Sequence, residues 1–177
     1  MAIDKIILLT KKRWALPVLA VLAEGFHPRA YPLAQQLGGS RAAITQAILY
    51  LTELGLLTRH AGHGHPLRPE LALTDKAKIL APAAVLAWRR MQENKILIPI
   101  YLQRWAFPVL ACAVAPTKYA ELRRGLPVTD RALSMSLKSL TQVNLLHREI
   151  DTQQYPPASY YRATPLGRRI VAPFEHV

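Results

Sequence analysis

The chain has 177 residues, room for one ordinary domain or two small ones of about 80–90 residues, and its 51% hydrophobic content excludes a disordered polymer. Twenty-three Lys and Arg face eleven Asp and Glu, a net charge of +12 that attracts polyanions. One cysteine, Cys112, excludes an intramolecular disulfide, and no run approaches the ~18 apolar residues of a membrane span or reads as a secretory leader, so a cytoplasmic location without membrane attachment is expected.

The charge divides evenly, +6 on residues 1–89 (11 basic, 5 acidic) and +6 on residues 90–177 (12 basic, 6 acidic). The sequence itself repeats. Arg13-Trp14-Ala15-Leu16-Pro17-Val18-Leu19-Ala20 returns as Arg104-Trp105-Ala106-Phe107-Pro108-Val109-Leu110-Ala111. Leu51-Thr52-Glu53-Leu54-Gly55-Leu56-Leu57 returns as Leu140-Thr141-Gln142-Val143-Asn144-Leu145-Leu146, and Thr74 with Ala81-Pro82 is answered by Thr164 with Ala172-Pro173. Three matches in the same order point to an internal duplication.

In chain order, each repeat predicts a short helix opening at Pro17 or Pro108, because proline at the first helical position forfeits no hydrogen bond. A second helix follows at about Pro32–Leu37 and Lys118–Arg124, then a tight turn at Gly38-Gly39 and at Pro127-Val128. Ser40 and Thr129 stand where a hydroxyl would cap a third helix. That helix has the clearest periodicity, with Ile44, Ala47, Ile48 and Leu51 on one face, and Leu133, Leu137, Leu140 and Val143 in the second repeat. Gly55 and Asn144 suit a left-handed stop. Strands are predicted at Leu56–His60 with Glu70–Leu73, and at Leu145–Asp151 with Ser159–Ala163.

The order helix, helix, turn, helix, hairpin is that of a winged helix-turn-helix. The expected fold is therefore mainly α with small β-hairpin wings (α+β), as two tandem modules. Residues 1–82 form the first module, 83–102 a helical connector broken near Pro99, and 103–177 the second. The apolar flanks Ile6–Leu9 and Leu97–Ile100 are expected to pack the modules.

Both halves resemble the HxlR-type winged-helix regulators, relatives of the MarR and ArsR groups. The second half carries Arg104-Trp105, Tyr119-Ala120-Glu121-Leu122, Leu126, Thr129-Asp130-Arg131-Ala132-Leu133, Leu137, Leu140 and Leu145, then Pro156-Pro157, Tyr161, Thr164 and Gly167. The first half keeps Trp14, Leu33, Leu37, Ser40, Ile44, Gln46, Leu51, Gly55, Leu56 and Leu57, with a different wing. The resemblance implies transcription regulation through double-stranded DNA. Family members carry one module and dimerise, so two modules in one chain imply a covalent pseudo-dimer. A homodimer and a small-molecule effector stay open as further partners.

A recognition helix lies in the major groove and meets base edges with its outward side chains. With the apolar stripe inward, the second module presents Arg131, Ser134, Met135, Lys138 and Gln142. Arg131 suits a guanine, Lys138 a phosphate or guanine, and Thr129 with the amides behind it a phosphate. Arg123 and Arg124 are further phosphate candidates. The first module presents Ala42, Thr45, Gln46 and Leu49, with Arg41 at the rim and Ser40 as the cap. Gln46 suits adenine, and Ala42 or Leu49 a thymine methyl. The faces imply unequal roles, the second module supplying more affinity.

In the first wing, Arg59 to Arg68, glycines allow close approach to a minor groove and Arg68 is the residue to enter it. His63, with His60 and His65, invites a metal reading; no cysteine or carboxylate lies beside them, and the expectation is a polar wing without metal. The second wing offers Gln153 and Gln154, flanked by Arg148 and Arg162, while Glu149 and Asp151 would repel a phosphate they faced. No cofactor is expected, and no nucleophile–base spacing supports an enzyme. Some HxlR-type regulators sense oxidants through a cysteine, but Cys112 lies among alanines of a helix, where a buried, inert thiol is expected. The competing reading is a tandem winged-helix scaffold that binds proteins and touches DNA weakly or not at all. RNA binding ranks lower, for want of a sheet with exposed aromatics.

Overall fold

The computed structural model describes residues 3–26, 29–60, 70–96, 103–153, 155 and 157–175. They form helices with two small antiparallel sheets, an α+β chain. The chain divides into two units: residues 11–89, and residues 90–175 together with 3–10. The N-terminal helix α1 (Ile3–Thr10) groups with the later residues rather than with those that directly follow it.

In the first unit, α2 (Ala15–Ala23) is buried on all sides from Ala15 to Leu22 and packs against α3 (Ala30–Leu37) and α4 (Arg41–Glu53). Pro17 and Pro32 both sit at the third helical position, two residues inside the expected starts. The N–H groups of a helix's whole first turn lack partners, so proline is tolerated there as well as at the first position. Gly38 ends α3 in the left-handed region (φ 67°), and Gly39 lies under Trp14, where a Cβ would meet the indole at 3.0 Å. That contact fixes a tight Gly-Gly turn. Ser40 Oγ then accepts from Ala43 N–H at 3.2 Å, and Ile44, Ala47, Ile48, Tyr50 and Leu51 form the buried face of α4.

Gly55 stops α4 at φ 67°, and β1 (Leu57–His60) pairs antiparallel with β2 (Glu70–Leu73), Arg59 opposite Leu71. A long helix, α5 (Asp75–Glu93), follows and buries Ala77, Leu80, Ala84, Trp88 and Met91. It runs through Pro82, where the sequence predicts the module's end. Proline removes the N–H that would meet the Lys78 carbonyl, and both residues are exposed, so water can take that acceptor. The expected break near Pro99 and the flank Leu97–Ile100 lie outside the described residues.

The second unit repeats this order with one added strand. α6 (Ala106–Cys112), with Pro108 again third, packs on α1, where Ile6 and Leu9 are buried. β3 (Thr117–Lys118) pairs with Tyr161 and Tyr160, so Lys118 is a strand residue and not the start of the second helix. α7 (Tyr119–Gly125) and α8 (Asp130–Gln142) follow, with Thr129 Oγ1 accepting from Ala132 N–H at 3.3 Å. Asn144 makes the left-handed stop at φ 57°. β4 (Leu146–Asp151) and β5 (Ala158–Ala163) complete a sheet of order β3-β5-β4. α9 (Pro165–Val171) then yields to a 3-10 turn, Ala172–Phe174, at the second Ala-Pro pair.

The same threonine joint closes both units. Thr74 Oγ1 donates to the Gly55 carbonyl at 2.7 Å and accepts from Ala77 N–H at 3.2 Å. Thr164 Oγ1 donates to the Asn144 carbonyl at 2.9 Å and accepts from Gly167 N–H at 3.1 Å. Each hydroxyl therefore caps the last helix and ties it to the stop of the third.

Gly167 is required by proximity: a Cβ there would lie 2.3 Å from the Leu145 carbonyl oxygen and 3.0 Å from Leu110 Cδ1. Gly167→Ala is expected to destabilise the chain by about 1–3 kcal/mol, the usual cost of overpacking. Gly125, with nothing within 4 Å of a Cβ, is the control whose alanine variant keeps the denaturant midpoint. Cys112 is half-buried, and desolvation pushes its thiol up from the ordinary value. Its iodoacetamide alkylation at pH 8 should be slower in the folded chain than in urea. The sign for stability follows: above the ordinary thiol pKa the unfolded chain sheds a proton the folded chain keeps, so stability falls as pH rises through that window. Equal alkylation rates would refute the buried environment.

Candidate nucleic-acid interface

Burial of Leu133, Ser136, Leu137 and Leu140 fixes the rotation of α8. The opposite face then exposes Arg131, Ser134, Met135, Lys138 and Gln142, the whole predicted set, with Met135 57% exposed. Val143 is only half-buried, because α8 ends at Gln142. The first turn carries a network that sequence spacing did not reveal. Arg123 Nε donates to Asp130 Oδ1 at 3.0 Å, and the Tyr119 hydroxyl lies 3.3 Å from that carboxylate oxygen and 3.3 Å from Ser134 Oγ. Arg123 is thus held by Asp130, although both are exposed, while Arg124 Nε donates to the Ala120 carbonyl at 3.3 Å. An exposed ion pair of this kind is worth at most about 1 kcal/mol, so a phosphate can compete for the guanidinium.

The hairpin register sorts the charges of the second wing. Side chains alternate along a strand, so Arg148, Tyr161 and Ser159 share one face, and His147, Glu149, Asp151 and Arg162 the other. The first face turns toward α8. Between them lies an open groove of about 410 Å³ lined by Tyr119, Ser134, Lys138, Gln142, Arg148 and Tyr161, among others. Arg162 instead borders the opposite face beside His147 and Arg168. Glu149 and Asp151 do not line the groove. Gln153 is exposed, with its N–H donating to Asp151 Oδ1 at 3.0 Å, and Gln154 lies outside the described residues. Of the two arginines flanking the second wing, Arg148 therefore joins α8, together with Tyr161, and Arg162 does not. A period of two separates Arg148 from His147 on their own strand, and the pairing of His147 with Arg162 sets Arg162 on the other face.

In the first unit α4 exposes Arg41, Ala42, Gln46 and Leu49, the last 38% exposed, and leaves Thr45 half-buried. Counted from the caps Ser40 and Thr129, Arg41 stands where α8 has Asp130, Ala42 where it has Arg131, Gln46 where it has Met135 and Leu49 where it has Lys138. A smaller groove of about 190 Å³ lies between α4 and the hairpin, lined by Arg29, Thr45, Ile48, Arg59 and Leu71. Arg29 is paired with Glu70 at 2.9 Å. His63, His65 and Arg68 lie outside the described residues. Among the described residues no group of three His, Cys, Asp or Glu could hold a metal ion, and no helix is long and apolar enough to cross a membrane.

Residues 100–177 match the family model for HxlR-like helix-turn-helix proteins. Among solved structures, the chain is similar to a crystal structure described as a transcriptional regulator of the MarR family from Porphyromonas gingivalis W83. The two are 23% identical over 50% of this chain and 80% of that one, with a TM-score of 0.41. No curated protein matches the chain.

Proposed function

We propose that this chain is a transcription regulator that binds double-stranded DNA sequence-specifically, its two units acting as tandem winged-helix modules and as an intramolecular pseudo-dimer. The observation that carries the reading is the solvent face of α8, which bears Arg131, Ser134, Met135 and Lys138 within the segment matching an HxlR-like helix-turn-helix. In the major groove, Arg131 in the first turn forks onto guanine O6 and N7, and Lys138, two turns on, reaches a phosphate or a second guanine. Thr129 and the amides behind it take a phosphate at the helix N-terminus. In the first module, Gln46 pairs with adenine while Ala42 and Leu49 contact thymine methyls.

The tandem arrangement is supported by what the units share: hydroxyl caps at Ser40 and Thr129, left-handed stops at Gly55 and Asn144, and the threonine joints at Thr74 and Thr164. The competing scaffold reading draws on one observation, the exposed Leu49 and Ala42 on α4 where the other unit has Lys138 and Arg131. A partner protein that covered this face would bind with little salt dependence, whereas duplex DNA is released steeply as salt rises.

Selection from a random duplex pool at physiological salt is expected to return two blocks of preferred bases, one per module. Arg131→Ala should cost about 1–3 kcal/mol on the selected site and relax preference at one base pair. Lys138→Ala should weaken all sequences alike and reduce the salt slope by about 1. Duplex titrations unchanged in both variants would remove α8 from the mechanism.

A further inference from the structure

Arg148 and Arg59 occupy the same place in their respective units. Each is the third residue of its hairpin's first strand, two past a buried leucine, Leu146 or Leu57. Each lines the groove between that hairpin and the third helix. The duplicated sequence thus carries the arginine as faithfully as it carries the caps.

We infer that these two arginines are phosphodiester seats, one per module, which grip the duplex backbone beside the recognition helix. The inference rests on the DNA-binding reading above and adds two contact residues to it. Arg148 is already oriented for the task. Its Nη2 and Nε donate to Ser159 Oγ at 2.9 and 3.3 Å, and its guanidinium lies 6.0 Å from the centre of the Tyr161 ring. A guanidinium has five N–H donors in a planar fork, so Ser159 leaves three for an anion. Lys138 lines the same groove and adds a second positive charge, with the Ser134 hydroxyl and the Gln142 amide as neutral donors.

Ion pairing separates these cations from their neighbours. Arg29 is paired with Glu70 and Arg123 with Asp130, so a phosphate has to displace a carboxylate there, whereas among the described residues no carboxylate lies within ion-pair distance of Arg59, Lys138 or Arg148. The acidic side chains of the second hairpin, Glu149 and Asp151, stand on its other face. A groove walled by uncompensated cations and neutral donors fits a singly charged tetrahedral ester, and the backbone of a duplex supplies such esters at regular spacing. The grooves are unequal, with two uncompensated cations in the second unit and one in the first, where Arg29 is paired with Glu70.

The test is duplex titration of the full chain across a salt series, on the selected site and on a scrambled duplex. Arg148→Ala and Arg59→Ala should each lower the log–log salt slope by about 0.9. Each should weaken both duplexes by the same factor, roughly 10-fold. Arg148→Lys keeps the charge and is expected to keep the slope. It also guards against misfolding of the alanine variant, checked by a thermal melt. Slopes unchanged in both alanine variants, with Lys138→Ala still lowering its own, overturn the inference and leave the regulator reading standing. A lowered slope in Arg148→Lys, or weakening confined to the selected site, also overturns it. Wild-type protein without salt-dependent duplex binding overturns both.

Discussion

A single hydroxyl in each unit holds together the third helix and the hairpin beside it. Thr164 ties the left-handed stop of α8 to the start of α9 by donating to Asn144 and accepting from Gly167. Its backbone N–H also donates to the Leu145 carbonyl at 3.0 Å, just before the first rung of the hairpin, Leu146 opposite Ala163. Everything downstream inherits that register. A slip of one residue would exchange Arg148 for His147 or Glu149 at the groove, because strand side chains alternate faces. Thr74 sets Arg59 in the same way. The chemistry of the surface is thus decided by a joint that lines neither groove.

Net charge describes this surface poorly. Several basic side chains are paired with carboxylates of the same chain at the surface, Arg29 with Glu70, Arg89 with Glu24 and Arg123 with Asp130. What distinguishes the third helices is where the remaining charge stands. On α8 it lies in the middle of the exposed face, and on α4 it lies at the rim, with Leu49 and Ala42 in the middle. The two units share one order of elements, and a few exposed positions, where substitution hardly affects stability, make their third helices chemically unlike.

The parts legible in the sequence were those governed by local rules. The buried stripes of α4 and α8, the caps at Ser40 and Thr129 and the stops at Gly55 and Asn144 each follow from neighbours within a turn or two. β3 escaped notice because two residues, Thr117 and Lys118, carry no periodicity; their strand exists only by pairing with β5. The continuity of α5 through Pro82 was hidden for a different reason, since an exposed carbonyl can give up its partner and let the helix run on. The Tyr119–Asp130–Arg123 network joins two helices across a turn, and no spacing rule announces it. Which of Arg148 and Arg162 faces α8 depends on the register of the hairpin, a pairing between strands that the sequence does not print.

The grouping of α1 with the later residues makes the chain's order differ from its architecture. The polypeptide starts in one unit, leaves it between Thr10 and Lys11, and returns between Arg89 and Arg90. In this respect the first unit is an insertion, and the second is discontinuous. A cut between residues 89 and 90 would leave α1 on a different piece from α6, with Ile6 and Leu9 without that neighbour. Dissection of this protein into halves therefore has to carry residues 3–10 across to the C-terminal half, by fusion or circular permutation.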